Sequence, residues 1–427
     1  MKKTKLILPL LLVSVLASCN TISGEWRSVV ASNADIVTTA NTNVDPFNTV
    51  MQLSYFLNDD YANTNEKTFE NVTKIYKETI ADLHKKFDRH YYYKNNNDDG
   101  LVINVKTIND SFGTGKEIKC SEELYQLLKL GVECYELTNG QFNIFTGAIT
   151  DYWDEVFGKA YNYEPLDDID PYFNEFQKET LETLVDSIPS NIDEINQQLT
   201  FNDENMSVIF NNCDFNNGLK PLISVGGIGK GLATDLVKKE LVSNGYKDGY
   251  LLSGGSSITT LSTPIFTRKE KGHKISVVNP AKTNLIEKEV AFSIKFTEEF
   301  NFSTSGNYTA NKSYTFIDEN DKIVYRHHII NPFTGYPESY YRSVSIMTHY
   351  FSSAQVDALS TAFMNLKLED GLKLRKEILN KYPEADLELF YISQEGSNKE
   401  AKVTVTATSS MNDTLTVAKG VNLIYEE

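Results

Sequence analysis

Apolar residues Val72, Ile75, Tyr76, Ile80, Leu83 and Phe87 recur at spacings of three and four, which predicts a long amphipathic helix over residues 69–88. A second stripe, Leu124, Leu127, Leu128 and Tyr135, predicts a helix that begins after Ser121. Ser121 suits an N-cap, and Glu122 and Glu123 suit the positive helix end. That helix should stop before Asn139-Gly140. Residues 95–100 form a polar loop, and 160–200 are acidic and aperiodic apart from a helix near 175–186. A strand is expected over 47–56, and short strands dominate after 205, at 207–211, 222–225, 250–252, 274–278, 291–296 and 322–330. Helices at 230–244, 353–367 and 369–381 interrupt them. Strands mixed with helices without strict alternation indicate an α+β class. The expected architecture is a single large domain, residues 46–427, of mixed or antiparallel sheet with flanking helices.

The N-terminus follows another pattern. Lys2, Lys3 and Lys5 precede a run from Leu6 to Ala17 that is apolar apart from Ser14. Twelve helical residues span about 18 Å, short of a bilayer core of ~30 Å. The segment therefore reads as the core of a signal peptide, residues 1–18. It ends in Leu16-Ala17-Ser18-Cys19, which resembles the lipobox of bacterial lipoproteins. That resemblance implies a lipidated Cys19 and a location on the extracytoplasmic face of the cell membrane. Residues 19–45, poor in periodicity and rich in Ser, Thr, Asn and Ala, are expected to be a flexible tether.

Composition narrows the partners. Apolar residues make up 41% of the chain, enough to exclude a disordered one. The net charge of −17 falls to −20 if the three lysines of the leader are removed. A body this acidic argues against nucleic acid and against a polybasic grip on lipid, which leaves the lipid anchor as the membrane contact. Cys120, Cys134 and Cys213 match no zinc spacing and imply no disulfide framework; Cys134 falls on an apolar helix face as a core residue.

Three segments carry chemistry. Ser224-Val225-Gly226-Gly227-Ile228-Gly229-Lys230-Gly231 lies between a strand and a helix. Its glycines permit close backbone approach, its amides and helix start suit phosphate, and Lys230 adds a cation. It fits neither a Walker loop nor G-x-G-x-x-G; tight packing is the plain alternative. In Arg326-His327-His328-Ile329-Ile330-Asn331-Pro332-Phe333-Thr334-Gly335 a strand end meets a rigid turn, which makes a histidine there a general-base candidate. Asp357 and Thr361, four apart on a helix, share a face and offer hard oxygen ligands for Mg²⁺, though a small-residue helix is also what a buried core segment looks like. Ser253–Ser257 and Ser303–Tyr308 offer amides and hydroxyls to an anion, and would otherwise be ordinary turns.

In this order the segments resemble the ApbE family, the FAD:protein FMN transferases. The likeness runs over about residues 46 to 390, through Phe47-Asn48-Thr49-Val50, Thr138 to Asn143, Trp153, the glycine loop and the two specific motifs at His328 and Asp357. The resemblance implies an ApbE-like fold and Mg²⁺-dependent transfer of the FMN half of FAD to a threonine hydroxyl of an acceptor protein, with release of AMP. It places His328 as the base for that threonine. It places Asp357, Thr361 and the Gly227 carbonyl at the metal. It places Phe47, Phe142, Asn143, Ser224, Lys230, Gly254, Gly255, Ser305 and Ile330 around the FAD. The sequence departs from the family at Ser224 and Asn143, where Asp is usual, and at Phe333, where a basic residue is usual. Those departures keep two alternatives in view, hydrolysis of FAD to FMN and AMP, and a non-catalytic FAD-binding lipoprotein. A generic solute-binding lipoprotein would leave the Asp-x-x-x-Thr pair and the histidine turn unexplained.

Overall fold

Along the strand Glu388–Glu395, Leu389 and Tyr391 enter one hydrophobic core while Phe390 and Ile392 enter another. The period of two sends alternate side chains to opposite faces, so a strand apolar at every interior position needs both faces covered. This strand belongs to a nine-stranded sheet seen in a computed structural model, which describes residues 24–32, 45–95, 100–160, 170, 174–262, 273–282, 289–308, 312–396 and 400–427. In chain order the strands are β1 (Gly24–Ala31), β2 (Met51–Asn58), β3 (Gly249–Ser253), β4 (Ser257–Thr260), β5 (Asn301–Gly306), β6 (Ser343–Thr348), β7 (Glu388–Glu395), β8 (Lys402–Thr408) and β9 (Val421–Glu426). Their order in the sheet is the same as in the chain. Neighbours are antiparallel except β8 and β9, which run parallel.

One face carries helices. α1 (Asn65–Phe87) packs on α4 (Gly229–Ser243), α4 on α5 (Ser353–Met364), and α5 on β5 and β6. Between α1 and α4 in sequence lie α2 (Glu122–Leu137) and α3 (Gly147–Ala160), and α6 (Leu368–Lys381) follows α5. The other face is covered by a small sheet of His273–Val278, Val290–Phe296 and Leu415–Val417, through which Phe292 stacks on Phe390 with ring centroids 5.2 Å apart. The α+β expectation is met. α1 and α2 start and stop near their predicted ends, Ser121 caps α2 through the Leu124 amide, and Cys134 is buried in it.

Several expectations need correction. The segment read as a tether contains β1, which pairs with β2 along its whole length. The strand expected from residue 47 begins only at Met51, because Phe47 and Asn48 adopt left-handed dihedrals (φ 54° and 53°) in a turn after Pro46. Residues 222–225 form no ladder. Their polar groups are taken by side chain and loop, with Asn109 bonding both the amide and the carbonyl of Ile223 and the Ser224 amide donating to Ile144 O. Among the described residues Leu222 makes only an isolated bridge to Thr146. The strand expected to reach 330 stops at His327, where it is one arm of a separate hairpin with Ser313–Ile317. Ser303 to Gly306, read as a turn, lie in β5, near the middle of the large sheet. Residues 1–18 and Cys19 lie outside the described residues.

Candidate active site

The glycine loop turns into α4 when the Ile228 and Gly229 amides both fold onto Val225 O (3.0 and 2.7 Å). α4 starts with no side-chain cap, so beyond the Gly229 amide its first turn keeps the partial positive charge of a helix N-terminus. Lys230 reaches back to the Gly226 carbonyl at 3.0 Å. Two of the glycines are required by close approach. A Cβ on Gly231 would lie 2.5 Å from the backbone of Ser353 and Ala354 on α5. A Cβ on Gly227 would lie 2.7 Å from the Phe142 ring and 3.5 Å from Thr361 Oγ1. The loop, Phe142 and Thr361 therefore meet at one place.

α5 is fixed there by a buried carboxylate. Asp235 on α4 accepts the amide protons of Ser353 (3.0 Å) and Ala354 (3.1 Å), two of the orphan donors at the start of α5. Burial, together with the nearby Asp357 carboxylate, raises the Asp235 pKa. One turn along α5, Asp357 accepts hydrogen bonds at Oδ1 from Ser257 and Ser303, each at 2.7 Å. Its other oxygen, Oδ2, is buried and has no partner among the described residues. A buried carboxylate oxygen left unpaired costs stability unless something cationic or protic occupies it. Thr361 stands one turn further on, its hydroxyl bonded to the Asp357 carbonyl at 3.1 Å, and Ser305 joins the same hydroxyl network through Ser360 (2.8 Å).

The donor set suits a hard cation. It consists of one carboxylate oxygen and one hydroxyl, with Gly227 of the loop beside Thr361, where a Cβ would lie 3.5 Å from Oγ1. Among the described residues no cluster of three His, Cys, Asp or Glu exists. Mg²⁺ is held in this way, by few protein oxygens with water and phosphate completing the shell. The residues present fit the ion.

Of the paired histidines, only His328 is free to act. His327 is buried, donates Nε2–H to Glu338 O at 2.7 Å and accepts the Ile329 amide at Nδ1 (3.2 Å). Burial pushes its pKa down to about 4. His328 is half-buried, with Nδ1 enclosed and without a partner among the described residues. Burial first, then the charges of His327, Lys312 and Lys230, push its pKa down to about 3, so the ring is neutral near pH 7. The turn after it is braced by Trp153 Nε1 on Gly335 O (2.7 Å) and by Asn331 on Glu338 (2.9 Å). Asn365, capping the end of α5, binds Ile330 O at 3.0 Å and ties the histidine turn to the helix of Asp357 and Thr361.

Gly254 and Gly255, both with positive φ (64° and 66°), make the tight turn of the β3–β4 hairpin that carries Ser257. Phe47 sits beside the loop, since a Cβ on Gly229 would lie 3.9 Å from its ring. Phe142 is buried, its amide held by Thr138 Oγ1 at 3.0 Å. The side chain of Asn143 is engaged within the protein. Its amide donates to Pro189 O (3.0 Å) and its oxygen takes the Phe145 amide (2.9 Å). It borders a cavity of about 270 Å³ that Gly140, Tyr135 and Phe333 also line. Ser224 lies next to the loop, held by its backbone. Sequence reasoning did not single out Asp235, Asn365 or His84; an acid, amide or imidazole in or at the end of a helix carries no signal until its partner on another element is known.

The chain belongs to the ApbE family, whose model matches residues 47–383. No curated protein matches it. Solved structures with the same fold include the ApbE protein of Thermotoga maritima (21% identity, TM-score 0.56, covering 86% of this chain and 94% of that one). The flavin transferase ApbE of Vibrio cholerae shares 16% identity with a TM-score of 0.58, over 92% of this chain and 100% of its own. The apo form of the flavinyl transferase ApbE of Pseudomonas stutzeri shares 15%, with a TM-score of 0.57 over 93% and 98%.

Proposed function

We propose that this protein is a lipid-anchored, Mg²⁺-dependent flavin transferase that moves the FMN half of FAD onto a threonine hydroxyl of an acceptor protein and releases AMP. Membership in the ApbE family supports flavin transfer, and the observation that carries the finer reading is the buried Oδ2 of Asp357, without a partner among the described residues, one helical turn from Thr361, which itself lies by Gly227. Mg²⁺ held at these oxygens would neutralise charge on the FAD pyrophosphate. The rest of the work falls to the chain. The uncapped start of α4 and Lys230 take the remaining phosphate charge, Phe142 and Phe47 supply apolar surface for a planar ring, and α5 holds Asp357 in place. The threonine oxygen forms a P–O bond at the FMN phosphorus as the bond to the AMP oxygen breaks, and the hydroxyl proton passes to His328.

A base whose pKa is pushed to about 3, chiefly by burial, is weak, and the smaller causes show how it is strengthened. Two of the charges that depress it, Lys230 and Lys312, are those a bound pyrophosphate would offset, so substrate raises the basicity of His328 when it is needed. Nδ1 is enclosed, which leaves Nε2 as the nitrogen for the incoming hydroxyl. Export and anchoring rest on Leu16-Ala17-Ser18-Cys19 after the apolar run. The test is incubation of the detergent-purified protein with FAD, Mg²⁺ and the membrane proteins of its own cells. Flavin covalently bound to a threonine supports the proposal; AMP and free FMN without any adduct would favour the hydrolytic alternative.

A further inference from the structure

Phe47 is an aromatic residue held at φ 54°, followed by Asn48 at φ 53°. Bulky side chains avoid this left-handed region, and a non-glycine residue persists there only when its surroundings hold it. What holds it is visible. The Phe47 amide donates to Nδ1 of His84 at 3.0 Å, across 37 residues of sequence, and the two rings meet edge-on with centroids 5.5 Å apart. His84 is buried in the last turn of α1, and burial lowers its pKa.

The protons in this network run one way. The Tyr93 hydroxyl donates to Oδ2 of Asp88, so its oxygen is free to accept, and Nε2 of His84 stands 3.1 Å from it. His84 therefore carries its proton on Nε2 and presents the Nδ1 lone pair to the Phe47 amide. Asp88 is fixed in turn by the amide of His90 on Oδ1 (2.6 Å), and Tyr93 is fully buried. An amide–imidazole–phenol–carboxylate chain thus ends on one strained backbone position.

Resting on the flavin reading above, we infer that His84 is a positioning residue for FAD: oriented by Tyr93 and Asp88, it sets the backbone of Phe47 directly through its Nδ1, which aims that ring at the glycine loop. The placement supports this, since Phe47 lies against Gly229 at the start of α4 and Thr49 lies beside the β3–β4 turn, where a Cβ on Gly254 would meet Thr49 Oγ1 at 3.2 Å. His84 itself sits behind Phe47 and acts only through it.

The test uses the full chain, with FAD affinity read by flavin fluorescence and backbone protection of residues 45–50 read by amide hydrogen exchange. His84→Asn places an acceptor oxygen near the Nδ1 position, whereas His84→Gln reaches the Nε2 position and leaves the Phe47 amide unmatched. A lost hydrogen bond predicts FAD binding weaker by about tenfold in His84→Gln, with faster exchange at 45–50. His84→Asn should stay within about threefold of wild type in both readouts. Equal impairment of the two variants, or wild-type exchange and affinity in His84→Gln, overturns the inference. If the wild-type protein binds no FAD the flavin reading fails, and the exchange measurement still decides whether His84 sets Phe47.

Discussion

His327 and His328 stand next to each other and differ in what they touch. His327 has both ring nitrogens matched by backbone partners, and His328 has none for Nδ1. The first is therefore a structural group with a testable cost. Its pKa falls from the ordinary 6.5 to about 4 because burial disfavours the cation. Between those two values the unfolded chain binds a proton that the folded one refuses, so stability falls as pH drops through that window. His327→Gln keeps a donor for Glu338 O without the titration. Its urea midpoint is expected to change less than that of wild type between pH 6.5 and pH 4; an identical pH dependence would show that His327 does not carry the effect. Residue types drew attention to the Asp357–Thr361 pair and to a histidine of the 327–328 pair, because carboxylate, hydroxyl and imidazole announce their chemistry, and the family resemblance singled out His328. They did not reveal that the Asn143 side chain is engaged by Pro189 and Phe145, since that depends on a contact 46 residues away.

At the scale of elements, the contact between α4 and α5 governs the site. Gly231 lets the two helices touch backbone to backbone, and Asp235 clamps the first amides of α5. Gly231→Ala puts a methyl group 2.5 Å from main-chain atoms that cannot swing aside. Overpacking of this kind costs about 1–3 kcal/mol, measurable by urea unfolding, and shifts the helix that carries Asp357, so Mg²⁺ dependence should weaken along with stability. Unchanged stability would mean that α5 has room to move. The helices were legible because their apolar period of 3.6 is strong, as at Val72 to Phe87 and Leu124 to Tyr135. β5 was not, for a physical reason. Ser303 and Ser305 face Asp357 and Ser360 where a core strand would present aliphatics, so the strand that helps build the site has the composition of a turn. β1 was hidden in turn by a polar pattern, half of which faces solvent at the sheet edge.

Across the whole molecule, charge sets the problem the site has to solve. A chain of net charge −17 is asked to hold a pyrophosphate, and the cations near His328, Lys230 and Lys312, are local exceptions to that balance. The family match ends at 383, so β1 and β7 to β9 lie outside it, yet they complete one continuous sheet with the strands inside it. Among the described residues no helix is long and apolar enough to cross a membrane, and the proposed membrane contact is Cys19. Cys19→Ser is expected to move the protein from the membrane to the soluble fraction on cell fractionation; continued sedimentation with membranes would contradict the anchor.

The central claim is covalent transfer of FMN at the Asp357–Thr361–His328 site, and mass spectrometry of acceptor peptides tests it most directly. With FAD and Mg²⁺, one FMN should appear on a threonine for each AMP released. Asp357→Asn and His328→Ala should each slow its appearance by about a hundredfold or more. FAD left intact by the wild-type protein, or an adduct that forms as fast in either variant as in wild type, would contradict the account.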